Sequence, residues 1–174
     1  TGFEVVFRQP QASANANILV HGIDGTTQLC GMEPAAATLQ FLEYIRNAPL
    51  VGFHSDFDRL MIDRAANRAV GIAPSNPWLD LAFLAPATMP GPERKLPLGF
   101  DEWMDRLGIV NQARHNALAD ALATAQLFQV VLASATFDGL SETPAWLAVV
   151  GWMRNWGLGG TAVMGHSMGG KVAM

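Results

Sequence analysis

His54, Ser55, Asp56 and Asp58 stand directly after the apolar run Pro49-Leu50-Val51-Gly52-Phe53, in the stretch FHSDFDRLMIDRA (53–65). A buried strand that runs into a polar helix start is a common place for chemistry in α/β proteins, because sites open at strand ends. The same residue types also make ordinary helix caps. A second polar focus is HNALADALATAQLF (115–128), with His115 at a helix start and Asp120 in the next turn, so that both can face one cavity. Alone, that pair reads as a capping histidine and a solvated aspartate. Asp58 also sits near a helix start after a buried strand, so all three can converge at one sheet edge.

The elements that must position these residues follow from periodicity. FEVVFRQ (3–9), NILV (17–20) and LVGF (50–53) read as strands. Glu33-Pro34 opens a helix running through Asn47, with Pro34 in its first turn. A helix from 56 to about 70 is expected to turn Phe57, Leu60, Met61 and Ala65 inward, with Asp56 as its cap. WLDLAFLAPA (78–87) and FDEWMDRLG (100–108) read as helices, and so does a longer segment from about Asn116 to Ala133 carrying Leu118, Leu122, Leu127, Phe128 and Val131. Trp78 and Trp103 are expected in the core. The charged centre of the loop 89–99, Glu93-Arg94-Lys95, reads as a solvated face. SATFDGLSET (134–143) has linker composition, Thr143-Pro144 opens a further helix, and TAVM (161–164) reads as a strand. Strands alternating with helices define an α/β class with helices on both faces of a mixed sheet.

The 174 residues suffice for one domain with a real core and a short appendage. Half of them are hydrophobic and 15% are charged, the balance of a soluble globular protein. A net charge of −4 excludes a broad basic surface, so a nucleic-acid partner would need a local patch or bound cations. The single Cys30 excludes an internal disulfide and a cysteine zinc cluster, and it fits a reducing, cytoplasmic setting. Arg154, Asn155 and several glycines interrupt the most apolar stretch, so no membrane span is expected.

LVHGI (19–23), PLVGFHSDFDRLMIDRA (49–65) and HNALADALATAQLF (115–128) resemble, in order and spacing, successive motifs of the DnaQ-like 3′–5′ exonucleases, the histidine branch of the DEDD superfamily. The resemblance covers residues 3–134 and implies a ribonuclease H-like fold. It also implies two divalent cations, Mg²⁺ or Mn²⁺, held by four carboxylates around a scissile phosphate at the 3′ end of single-stranded nucleic acid. By that resemblance Asp58 and Asp120 are metal residues and His115 is the general base. His54, Phe57 and His21 are substrate-proximal at most, with His21 read chiefly as structural. A polymerase or another replication or repair protein is the implied partner.

The family's first motif, D-x-E on the opening strand, occurs nowhere in the sequence. The expectation is therefore an N-terminally truncated domain that binds its metal pair poorly and turns over slowly or not at all. At the other end GHSMG (165–169) fits the G-x-S-x-G nucleophile elbow, with Ser167 exposed between a strand at 161–164 and a helix from about Met168. Residues 145–174 thus resemble a helix–strand–elbow fragment of an esterase-type α/β-hydrolase. The expected organisation is an exonuclease-like domain (1–134), a linker (135–144) and that fragment (145–174). An esterase using Ser167 and a catalytically inactive nucleic-acid-binding module are the competing readings.

Overall fold

The computed structural model describes residues 2–89 and 98–137, and the backbone of three short strands at 162–163, 165–167 and 171–173. In chain order the elements are β1 (Glu4–Val6), α1 (Asn15–His21), α2 (Gly25–Leu29), α3 (Pro34–Ile45), β2 (Leu50–Gly52), α4 (Ser55–Val70) and β3 (Trp78–Asp80). They continue with α5 (Leu81–Thr88), α6 (Phe100–Leu107), α7 (Ala117–Phe137), β4 (Ala162–Val163), β5 (Gly165–Ser167) and β6 (Lys171–Ala173).

β2 organises the domain. It pairs in parallel with β3 on one side and β4 on the other, and all three of its residues are buried. Successive strand side chains point to opposite faces. Leu50 therefore joins Phe41, Ile45 and Ile62, from α3 and α4. Val51 joins Leu81, Trp103, Met104, Leu127 and Phe128, from α5, α6 and α7. Two helical layers thus clamp one parallel strand, and the polar start of α4 is fixed at its carboxyl end. The antiparallel strands form a second sheet in the order β1-β6-β5, so the single mixed sheet expected from the sequence is two small sheets among the described strands.

Three expected elements differ. NILV lies in helix α1, where Leu19 is 87% exposed. A four-residue apolar run is ambiguous in period, and Gly22, at φ +69°, closes the helix by donating its N–H to the Ile18 carbonyl. WLDLAFLAPA divides: its first three residues pair with β2 as β3, and the helix begins only after Asp80. Finally, α7 runs to Phe137, into the expected linker. The remainder of that linker, the Thr143-Pro144 helix and Glu93-Arg94-Lys95 lie outside the described residues. Glu33 caps α3 as expected, accepting from the Ala36 N–H at 2.9 Å, and Trp103 is a core residue.

The inward face of α4, and that of the first two turns of α7, differ from expectation. In α4 the buried residues are Ser55, Asp58, Ile62 and Ala66, while Phe57 and Leu60 are half exposed. Both faces carry apolar side chains, so periodicity alone cannot choose. Packing against α3 and β2 selects the face that begins with a carboxylate. In α7, Ala117, Ala121 and Thr124 are buried and Leu118 and Leu122 are exposed, because small residues allow the close approach. Although α7 is long and apolar enough to cross a membrane, Leu127, Phe128 and Val131 place it in the protein core.

After β1 the chain is tied to the segment before α3: Arg8 N–H donates to the Met32 carbonyl at 2.7 Å and Met32 N–H to that of Val6 at 2.8 Å. A Cβ on Gly31 would lie 2.6 Å from the Val6 carbonyl oxygen and 2.8 Å from the Arg8 nitrogen, both backbone atoms. Gly31→Ala is therefore expected to cost about 1–3 kcal/mol, measured by urea unfolding. Unchanged stability would mean that the two segments are not held as closely as described.

Candidate functional site

The site grows from the carboxyl ends of β2 and β3. His54 is the N-cap of α4 in a left-handed conformation, φ +57°, and its own side chain caps nothing. Capping comes from β3: Asp80 accepts the N–H groups of His54 and Ala82 on Oδ1 and that of Ser55 on Oδ2, each at 2.9 Å. One carboxylate thus ties the β2–α4 turn to the start of α5. Asp56, expected to cap, is an exposed first-turn residue.

Asp58 folds back toward the strand it follows. A Cβ on Gly52 would lie 3.3 Å from Asp58 Oδ2 and 3.0 Å from Ser55 Cβ, so the bare glycine makes room for that return. Asp58 is 8% exposed. Burial, then the negative charge of Asp80, then that of Asp120, push its carboxyl up to about 7. The electrostatics thereby place Asp58, Asp80 and Asp120 in one neighbourhood.

Asp120 stands in the first turn of α7, where its Oδ1 accepts from Asn111 Nδ2 at 2.7 Å and from Arg114 Nη1 at 2.8 Å. Arg114 also bonds Asp101 at the start of α6 and lies over the Phe100 ring at 5.2 Å. Its guanidinium therefore joins α6, α7 and the turn between them. In that turn His115 is exposed at φ +64°, and it makes no hydrogen bond among the described residues. The cap of α7 is Asn116, whose Oδ1 accepts from Leu118 and Ala119, so the capping role considered for His115 falls to its neighbour. A non-glycine residue in the left-handed region is uncommon, and here one stands on each of the two turns that carry the candidate residues.

The other candidates are dispersed. His54 is exposed with its ring edge-on to Phe53, and Phe57 is half exposed one residue before Asp58. His21 is buried at the end of α1; its Nδ1 accepts the Ile23 N–H at 3.0 Å and its Nε2 lies 3.5 Å from Ser13 Oγ. Burial lowers its proton affinity, as suits a structural imidazole. Ser167 ends β5, and the chain then forms β6 over Lys171–Ala173, antiparallel to it. A nucleophile elbow requires a helix there, so the strand–turn–helix expectation is corrected.

Asp80, Asn111 and Arg114 were not anticipated from the sequence. The available signal for Asp80 was an acidic residue at the junction of WL and LAFLA, where a strand can pass into a helix through a capping side chain.

The carboxylates suit a hard divalent cation by donor type and by their mutual repulsion. Among the described residues, however, no group of three His, Cys, Asp or Glu side chains is gathered as a metal centre. Asp80 is committed to backbone amides, and Asp120 to Arg114 and Asn111.

The buried strand-end carboxylate, the histidine turn and the aspartate at the head of a long helix stand on an α/β framework, and the family match assigns that framework to the exonucleases of ribonuclease H-like fold. The chain belongs to the Exonuclease (RNase T) family, whose model matches residues 5–128. It is similar to the DNA polymerase III subunit epsilon-like protein of Rhodobacter capsulatus, at 32% identity over 139 residues. That match takes in 78% of this chain but 19% of the relative, so the chain spans about a fifth of that protein's length.

Proposed function

We propose that this domain removes nucleotides from the 3′ end of a single-stranded nucleic acid by hydrolysis with two divalent cations, Mg²⁺ or Mn²⁺. The observation that carries the reading is Asp58: a buried carboxyl among like charges, at a strand end, in a chain of the Exonuclease family. Asp58 and Asp120 would hold the cation side. When bound, the cations supply charge neutralisation at the phosphoryl oxygens and acidity to the attacking water. His115, exposed on its turn, takes the proton from that water. Arg114 and Asn111 steady the turn and orient Asp120. Two of the family's four acids, the D-x-E pair, have no counterpart in the sequence, so turnover by this chain is expected to be slow.

By extension from the relative's name, a polymerase or another replication or repair protein is the proposed partner, in the cytoplasm. No observation favours the Ser167 esterase reading.

The test is a single-turnover assay with excess protein, Mn²⁺ and a 5′-labelled oligonucleotide. A ladder of products shortened from the 3′ end is expected. His115→Ala should slow it by about 100-fold or more, within the usual range for a general base. Activity that survives the substitution would remove His115 from the mechanism.

A further inference from the structure

A second feature lies along α4, away from its acidic start. Arg64 and Arg68, one helical turn apart, line a cavity of ≈ 590 Å³ together with Arg8, which follows β1. Phe7, Met61 and Ala65 give the same cavity an apolar floor. Like charges at i and i+4 disfavour a helix slightly, so their pairing here is not explained by helix stability. Among the described residues neither Arg64 nor Arg68 has a carboxylate partner, whereas Arg59 on the same helix pairs with Asp63 at 3.9 Å. The cavity's one acid, Glu33, spends its carboxylate on the Ala36 N–H at the head of α3 and also feels Arg8.

In a chain of net charge −4 the overall field repels a polyanion, and this is a place where the local sign is reversed. Guanidinium forks match phosphate oxygens, and an apolar floor accepts the face of a base. By helical rise, Arg64 and Arg68 stand about 9 and 15 Å along α4 from Asp58, within reach of one short strand. We propose that the Arg8–Arg64–Arg68 cavity is a strand-holding site: it binds backbone phosphates of single-stranded nucleic acid whose 3′ end lies toward Asp58, with a base over Phe7 and Met61. The proposal rests on the nuclease reading for its choice of ligand.

The test is binding without turnover, by fluorescence anisotropy of a labelled oligothymidylate in EDTA across a salt series. Arg64→Ala/Arg68→Ala is expected to weaken binding about tenfold or more and to reduce the salt slope by about 1–1.4, since each single-strand phosphate contact contributes about 0.7. Arg64→Lys/Arg68→Lys should fall between that variant and the wild type. Arg59→Ala removes a charge from the same helix outside the cavity and should have little effect; an equal loss from it would mean that only net charge matters and would overturn the site. Competition by polyglutamate as effective as that by unlabelled oligonucleotide would overturn the ligand class. Unchanged affinity in the double variant, with the wild type still shortening strands, overturns the cavity and leaves the nuclease reading standing. A wild-type chain that neither binds nor shortens the strand overturns both.

Discussion

In metal-free buffer Asp58→Asn is expected to stabilise the domain at pH 8.5 by on the order of 4 kcal/mol, a rise in Tm of about 10 °C, and to do far less near pH 4. The cause is the buried carboxyl. Burial and the charges of Asp80 and Asp120 raise its folded-state affinity for a proton to about 7, from a carboxylate value near 3.8. A group raised on folding contributes stability that is fully present below its unfolded pKa and is lost as pH climbs through the folded one. The window is therefore about pH 4 to 7, and above it the folded chain carries the whole penalty of an ionised, buried Asp58. Asparagine keeps the shape and cannot ionise. His21 works in the opposite sense, since burial lowers its proton affinity and acid must charge it, but that contribution is common to both chains and cancels in their difference. The measurement is urea unfolding of both chains across the pH series. A difference that does not change with pH would show that Asp58 does not carry a raised pKa. Millimolar Mn²⁺ at high pH should restore stability to the wild type and not to Asp58→Asn, because a cation at that carboxylate stabilises the state that binds it.

The same residue shows where the sequence was informative and where it was not. The strand at Leu50–Gly52, the helix after it, and the long helix that carries Asp120 in its first turn were all legible, because each joins a strong apolar pattern to a polar start. What periodicity could not give was rotation. Phe57, Leu60, Met61 and Ala65 form as plausible an inward stripe as Asp58, Ile62 and Ala66, and only contact with β2 and α3 decides between them. Asp80 was hidden for a related reason. A strand of three residues directly abutting a helix has too few alternations to be seen, so WLDLAFLAPA reads as one helix. The capping of α4 was sought locally in Asp56, whereas tertiary structure supplies it from 25 residues downstream. Helix ends are satisfied by whatever acceptor the fold brings close.

That long-range cap carries the second large effect. Asp80→Ala strips acceptors from the N–H groups of His54, Ser55 and Ala82 at once. Hydrogen bonds to a charged group are each worth about 1.5–3 kcal/mol when shielded, and here solvent reaches the turn, so a total loss of about 3 kcal/mol is expected near pH 5. The loss should shrink toward pH 8.5. There Asp58 is ionised, and removing Asp80 also removes the stronger of the two charge effects that oppose it. Asp80→Asn keeps one acceptor oxygen, enough for two of the three amides, but turns an NH₂ toward another donor; it should lie between alanine and wild type at low pH. A double-mutant cycle separates the two roles. In an Asp58→Asn background the cost of Asp80→Ala should become independent of pH, because capping remains and repulsion is gone. If its pH dependence persists there, Asp80 acts on some group other than Asp58. If instead the cost is small at every pH, the left-handed turn at His54 is held by something other than the Asp80 carboxylate, and the geometry that presents Asp58 to a cation needs a different support.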